Sequence, residues 1–132
     1  MDIAKIPLDN FAERNPYFPK EQLVEADFFE HEGQYDLIIE QTFFCSFEPT
    51  KANRENYAKQ MHALLKPNGK LIGVWFDIPL IEGNMDKRPF GGSKAEYLNY
   101  LEKYFETKVF EKCYNSIAPR AEQELFGIFK KL

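Results

Sequence analysis

A chain of 132 residues, 44% hydrophobic and 16% aromatic, holds enough apolar material for one packed domain, which excludes disorder as its resting state. A net charge of −4, from 17 basic and 21 acidic residues, argues against a nucleic-acid surface, and Lys130-Lys131 at the C-terminus reads as a solvated tail. Cys45 and Cys113 have neither zinc-ligand spacing nor the density of a disulfide scaffold, no apolar run approaches the ~18 residues of a membrane span, and no secretory leader pattern is visible, so a cytoplasmic protein with reduced thiols is expected.

Lys5 to Arg14 is weakly helical, with Ile6, Leu8 and Phe11 on one face and Pro7 tolerated in the first turn. Asn15-Pro16 ends it, because a residue before proline avoids the helical region. Gln22 to Ala26 reads as a short strand, followed by Asp27-Phe28-Phe29 and a turn at Gly33. Tyr35 to Gln41 is a second strand, whose consecutive Leu37-Ile38-Ile39 predict burial on both faces, as in a parallel sheet. Thr50 is placed to cap a helix in which Tyr57, Met61, Leu64 and Leu65 recur at helical spacing, and Lys66-Pro67-Asn68-Gly69 stops it. Lys70 to Phe76 is a third strand. Asp77 to Gly92 has little periodicity and reads as a long loop, a length at which loops often carry function. Ser93-Lys94-Ala95-Glu96 forms a capping box for a helix that buries Tyr97, Leu98, Leu101, Tyr104 and Phe105. Val109 to Tyr114 and Glu124 to Lys130 are the last strands, and the helix-free connection between them predicts an antiparallel pair. The alternation of strands and helices gives an α/β class.

Several of these segments resemble one family. Asp36 to Pro49 (DLIIEQTFFCSFEP), Leu64 to Gly69 (LLKPNG), Arg88-Pro89-Phe90, Ala118-Pro119-Arg120 and Glu124-Leu125-Phe126-Gly127 are similar to the thiopurine and thiol (halide) branch of the class I S-adenosylmethionine-dependent methyltransferases. Leu64 to Gly69 matches that family's L-L-K-P-G-G with Asn68 in place of the first glycine, and the resemblance covers nearly the whole chain. It implies one methyltransferase-like domain over 1–132, with a Rossmann-like sheet of about five strands, helices on both faces and a C-terminal antiparallel pair. It also implies S-adenosylmethionine as cofactor and methyl transfer to a small thiol or similar soft nucleophile.

The sequence departs from the family at its start. Such enzymes begin with a strand and an E/D-x-G-x-G-x-G loop, and this sequence has no such loop; its Gly91-Gly92 pair comes late and precedes a helix. Met1-Asp2-Ile3-Ala4 resembles the end of the family's second strand, so the chain reads as truncated, starting about one βαβ unit late. The family's first strand is central to its sheet. Without it the edge of Leu37-Ile38-Ile39 is bare, and three outcomes are expected: a rearranged sheet, a homodimer across that edge, or a separate N-terminal segment that complements it. Cofactor binding by the chain alone is expected to be weak or absent. The alternative is a non-catalytic methyltransferase remnant serving as a self-association or interaction module.

The resemblance assigns residues to the site. On the cofactor side it implies Asp2 for the ribose hydroxyls, Asp27 and Phe28 for the adenine, and Glu40, Gln41 and Thr42 at a strand end. On the substrate side it implies Phe43, the Arg88-Pro89-Phe90 lid and Arg120. Each has a plainer reading: Asp2 as a frayed terminus, Asp27 as a turn residue beside a core Phe28, Glu40 as strand-end solvation, Arg120 as a solvated loop charge. An aromatic wall suits a sulfonium cation or an apolar thiol. No certain catalytic residue and no metal site is expected, since in-line methyl displacement asks for positioning more than for an acid–base pair. His31 and His62 are the two histidines, neither is placed to activate Cys45, and Cys45 reads as a buried structural thiol.

Overall fold

The computed structural model describes residues 1–80 and 88–132 and divides them into two units, Met1–Glu32 and Gly33–Leu132. Residues 81–87, the middle of the expected loop, lie outside the described residues.

In the first unit, α1 (Lys5–Arg14) forms as expected and ends where the Asn15 backbone and side-chain N–H groups both donate to the Phe11 carbonyl at 2.9 Å. The expected strand at Gln22–Ala26 does not form. Lys20–Gln22 is a 3-10 turn, and a single parallel bridge joins Asp2 to Glu25, with Asp2 N–H donating to Val24 O and Ala26 N–H to Asp2 O, both at 3.0 Å. A strand exists only through a ladder with a neighbour. Within this unit Asp2 is the one residue that pairs with the segment, and charged Glu21 and Glu25 add nothing to bury.

The second unit holds a four-stranded mixed sheet, ordered β1-β2-β4-β3, one strand fewer than expected. β1 (Tyr35–Gln41) runs parallel to β2 (Leu65–Phe76) after the crossover helix α2 (Lys51–Leu64). β4 (Glu124–Lys131) lies antiparallel to both β2 and β3 (Phe105–Lys112), which bears out the predicted C-terminal antiparallel pair. Thr50 Oγ1 accepts from Asn53 N–H at 3.1 Å to start α2, and Ser93 Oγ accepts from Glu96 N–H at 3.3 Å to start α3 (Lys94–Leu101). α3 stops before Tyr104 and Phe105, and Phe105 instead opens β3. β2 begins earlier than expected because Asn68 turns at φ 66, a left-handed conformation that asparagine tolerates at the position where the family motif has glycine. The register between β1 and β2 accordingly jumps from Tyr35↔Leu65 to Leu37↔Lys70.

One face of the sheet carries the core. Leu71, Trp75, Phe105, Phe110, Leu125 and Phe129 pack there with Tyr57, Met61 and Leu64 of α2 and Tyr97 and Leu101 of α3, all buried. Gly73 and Gly127 pair across β2 and β4. A Cβ at Gly127 would lie 2.6 Å from the Phe129 ring and 2.9 Å from Trp75, so the two glycines leave the hollow into which those rings fit. Trp75 meets Phe110 and Phe129 edge-on at 5.8 and 5.5 Å, an arrangement aromatic quadrupoles favour.

The other face is different. The register aligns Ile39, Ile72, Ile128 and Val109 across all four strands, with Val74 and Phe126 beside them. Ile72, Val74, Val109, Phe126 and Ile128 are only half-buried, while Leu37 is 47% and Ile39 75% exposed. Both helices of this unit pack on the opposite face, where the resemblance implied helices on both. β1 is the end strand: among the described residues no strand pairs with its outer edge.

Candidate functional site

Because β1 and β2 are parallel and β4 runs against them, the segments after β1 and β2 and before β4 emerge at one end of the sheet. Parallel sheets bind ligands outside the carboxyl ends of their strands. Gln41 to Phe47, Phe76 to Ile78 and Ala118 to Arg120 are therefore the candidate rim.

The chain leaves β1 through a tight turn built on Glu40. Thr42 sits at φ 58, a left-handed conformation that costs a β-branched residue about 1–2 kcal/mol. Its surroundings hold it there. Glu40 Oε1 accepts from Phe43 N–H at 2.9 Å, Cys45 Sγ donates to the Thr42 carbonyl at 3.3 Å, and Ser46 N–H donates to Phe43 O at 2.9 Å. The second Glu40 oxygen, Oε2, accepts from Tyr57 OH at 2.7 Å. Glu40 is 3% exposed, and burial pushes its carboxyl above the usual range against the opposing pull of the Phe43 N–H, the Tyr57 hydroxyl and the Phe44 N–H. Glu40 thus points inward beneath the turn, engaged at both oxygens. Gln41 and Thr42 stay exposed on top, Phe43 and Phe47 are half-buried, and Phe44 and Cys45 are buried.

Cys45 is a structural thiol. Burial, reinforced by the nearby Glu40 charge, raises its pKa to about 11, so it remains protonated at neutral pH. Its carbonyl accepts from Phe90 N–H at 2.9 Å and so ties the lid residues to the strand-end turn. Phe90 is buried, whereas Arg88 and Pro89, joined by a cis peptide bond, are exposed, with the Arg88 guanidinium 5.9 Å from the Phe90 ring centre.

Arg54, on α2, was not singled out by the sequence. It is 2% exposed, its Nη2 donates to Gly91 O at 2.7 Å, its Nη1 to Glu96 at 3.0 Å, and its guanidinium lies 4.8 Å over the Phe44 ring. It joins the strand-end turn, the lid segment and α3. The available signal was its spacing: Arg54 falls three residues before Tyr57 on the stripe that continues to Met61 and Leu64.

Arg120 reaches the same rim, half-buried, with its guanidinium 5.2 Å over the Phe76 ring and Nη1 3.8 Å from Glu124 Oε2. Phe76 shares with Glu40, Thr42, Phe44, Cys45 and Tyr97 the lining of a void of about 10 Å³. That is room for one water, whereas pockets for nucleoside-sized ligands run to roughly 300 Å³ or more. A larger open groove of about 400 Å³ lies between α2 and α3, and two ion pairs line it, Arg54 with Glu96 and Lys103 with Glu55 at 2.9 Å.

In the Met1–Glu32 unit the two acids of the implied cofactor side serve their own backbone. Asp2 Oδ1 accepts from Ala4 N–H at 2.8 Å, and Asp27 Oδ1 accepts from Phe29 N–H at 2.9 Å, capping the 3-10 turn Phe28–Glu30 in which Phe28 is buried. The Asp2–Glu25 bridge brings the two acids to the same end of that unit. Among the described residues no cluster of three or more His, Cys, Asp or Glu could hold a metal ion, and no helix is long and apolar enough to cross a membrane.

Comparison with known proteins places this geometry in a lineage. The chain is 32% identical over 137 residues to probable thiol methyltransferase 2 of Arabidopsis thaliana, a match covering 99% of this chain and 58% of that protein. It is 32% identical over 138 residues to thiocyanate methyltransferase 1 of Brassica oleracea, covering 100% and 59%. It therefore spans less than three fifths of the length of these curated relatives. Among solved structures, the N-methyltransferase NodS of Bradyrhizobium japonicum in complex with S-adenosyl-L-homocysteine superposes with a TM-score of 0.75 at 14% identity, over 98% of this chain and 64% of that one. A TehB-like SAM-dependent methyltransferase of Corynebacterium glutamicum gives 0.68 at 17%, over 98% and 65%. At those identities the likeness is one of fold, and the fold is the Rossmann-like methyltransferase α/β fold. The model of the thiopurine S-methyltransferase family matches residues 7–131, and the chain belongs to that family, in the thiopurine and thiol branch of the class I S-adenosylmethionine-dependent methyltransferases.

Proposed function

We propose that this chain serves S-adenosylmethionine-dependent methyl transfer to a small thiol or a similar soft nucleophile such as thiocyanate, and that it supplies the acceptor side of the site. The family match across residues 7–131 carries this reading. The rim geometry supports it. Displacement at a sulfonium methyl by a thiolate asks for positioning and exclusion of water rather than for an acid–base pair. Phe43 and Phe47 offer an apolar wall, the lid at Arg88–Phe90 is tethered to that wall through Cys45, and Arg120 offers positive charge to an anionic acceptor. Within the Met1–Glu32 unit, Asp2, Asp27 and Phe28 are proposed as cofactor contacts, each carboxylate having a second oxygen able to accept from a hydroxyl or amine; within the Gly33–Leu132 unit, Gln41 and Thr42 are separate candidates. The 10 Å³ void at the rim is too small for a nucleoside, in keeping with weak or absent cofactor binding by the chain alone.

The test is headspace gas chromatography of methylated product from S-adenosylmethionine with thiocyanate or hydrosulfide. A slow signal above buffer is expected. Arg120→Ala should lower it about threefold for thiocyanate, the scale of a half-exposed ion pair. Methylation of amine or hydroxyl acceptors in preference to sulfur contradicts the reading. A second reading, a non-catalytic interaction module, is favoured by one observation, the exposure of Leu37 and Ile39.

A further inference from the structure

We infer that Asn68-Gly69 is a site of spontaneous covalent modification, at which the folded chain converts Asn68 to isoaspartate and loosens the start of the β1–β2 pairing. Asparagine is a thermally labile residue, and the residue after it governs how labile. A side chain there shields the backbone nitrogen, and glycine has none. Among the asparagines of the chain, Asn68 alone precedes glycine. Asn68 is exposed, and among the described residues no hydrogen bond holds its side-chain amide. Asn115, by contrast, precedes a serine, and its Oδ1 accepts from Cys113 Sγ at 3.1 Å.

The turn itself selects the reactive pair. Asn68 lies at φ 66, a left-handed conformation that suits asparagine or glycine. At position 69 a Cβ would lie 2.8 Å from the Lys66 carbonyl, so the space admits glycine. The Gly69 nitrogen attacks Asn68 Cγ. A bond forms between that nitrogen and Cγ, the Cγ–Nδ2 bond breaks, and ammonia leaves with the proton the Gly69 nitrogen sheds. The five-membered imide so formed includes ψ of Asn68 but not φ, so the left-handed φ is kept, and Gly69 can follow the change in ψ. One water then opens the ring. Opening at Cγ gives aspartate. Opening at the main-chain carbonyl gives isoaspartate, whose main chain is longer by one carbon and carries a free carboxylate.

That extra carbon enters where the sheet is least tolerant of it. The register between β1 and β2 jumps from Tyr35↔Leu65 to Leu37↔Lys70, so residues 66–69 set where parallel pairing begins. The new carboxylate also arises in the segment where Lys66 pairs with Asp36 at 3.5 Å. Both changes act on Tyr35–Leu37, the first residues of the end strand. The inference stands on this turn and is independent of the methyltransferase reading.

The test is ageing of the whole chain in mildly alkaline buffer, followed by peptide mapping with a fragmentation that separates aspartate from isoaspartate. The Asn68 peptide should gain about one mass unit roughly tenfold faster than the Asn115 peptide, with isoaspartate exceeding aspartate. Hydroxylamine, which opens the imide, should cleave the chain between Asn68 and Gly69. In the aged chain, amide exchange at Tyr35–Leu37 should speed about tenfold while exchange across β3 and β4 stays as it was. Asn68→Gly keeps the left-handed turn and should stop both effects. Asn68→Asp adds the charge without the extra carbon and should leave exchange within about twofold of the parent's. An intact Asn68, or modification only in the urea-unfolded chain, overturns the site. Unchanged exchange in the aged chain, or an Asn68→Asp variant that exchanges as fast as the aged chain, overturns the loosening.

Discussion

Glu40 ends an aliphatic strand, and from the sequence it reads as a rim residue; the structure turns it under the rim, where its two oxygens fix Phe43 N–H and Tyr57 OH. Sequence pattern reports that a charged residue closes β1 but not which way it faces, because that depends on a tyrosine seventeen positions later. The consequence is measurable. A carboxyl whose pKa is raised on folding binds its proton more tightly when folded. It therefore adds stability below its unfolded value, near 4.5, and that contribution is lost as pH rises through the folded value. Glu40→Gln keeps an acceptor for Phe43 N–H without the charge, so melting temperatures taken from pH 4.5 upward should fall less for the variant than for the parent. Parallel curves would contradict the assignment. Glu40→Ala removes the acceptor of the Phe43 N–H and Tyr57 OH bonds and should cost about 1–3 kcal/mol in chemical denaturation. The two cysteines give a second check. Cys45, buried and held as a thiol, should react with a disulfide reagent only on unfolding, while the partly exposed Cys113 reacts in the folded chain. Two fast thiols would place Cys45 wrongly.

Element by element, the sequence was most legible where a local signal and a tertiary partner agree. α2 starts at Thr50 and α3 at Ser93 because each hydroxyl caps a backbone N–H three residues on, and β3 and β4 pair antiparallel because no helix separates them. It was least legible where a neighbour decides. Gln22–Ala26 has a strand's composition, yet it is not a strand, since one residue at Asp2 pairs with it. Tyr104 and Phe105 continue a helical spacing, yet Phe105 is drawn into β3 opposite Lys131. Arg54 was not singled out in the sequence, yet it is buried on α2. Gly73 shows how tightly β1 and β2 are set. A Cβ there would lie 2.6 Å from the Glu40 carbonyl, so Gly73→Ala must separate the strands at the base of the rim. It should cost about 1–3 kcal/mol by denaturant titration, and a loss under ~0.5 kcal/mol would show that the contact can relax.

At the scale of the whole molecule, the chain has the family's fold, and the Gly33–Leu132 unit brings several candidate site residues to one end of its sheet. The strand-end turn and Arg120 lie at one end of the sheet, Phe90 is tied to the turn through the Cys45 carbonyl, and the turn lines a void of about 10 Å³. The sheet ends at a strand with an exposed aliphatic face, in a chain that spans less than three fifths of its curated relatives. That bare edge was expected from the family resemblance, in which a central strand has no counterpart in this sequence; the one-sided helix layer was not, because sequence pattern does not report on which face a crossover helix lies. The central claim is that this chain carries the acceptor side of a methyltransferase site and, by itself, binds the cofactor weakly or not at all. Calorimetric titration with S-adenosylhomocysteine tests it most directly. The account predicts weak or no measurable heat for the chain alone; low-micromolar binding by the chain alone would contradict it.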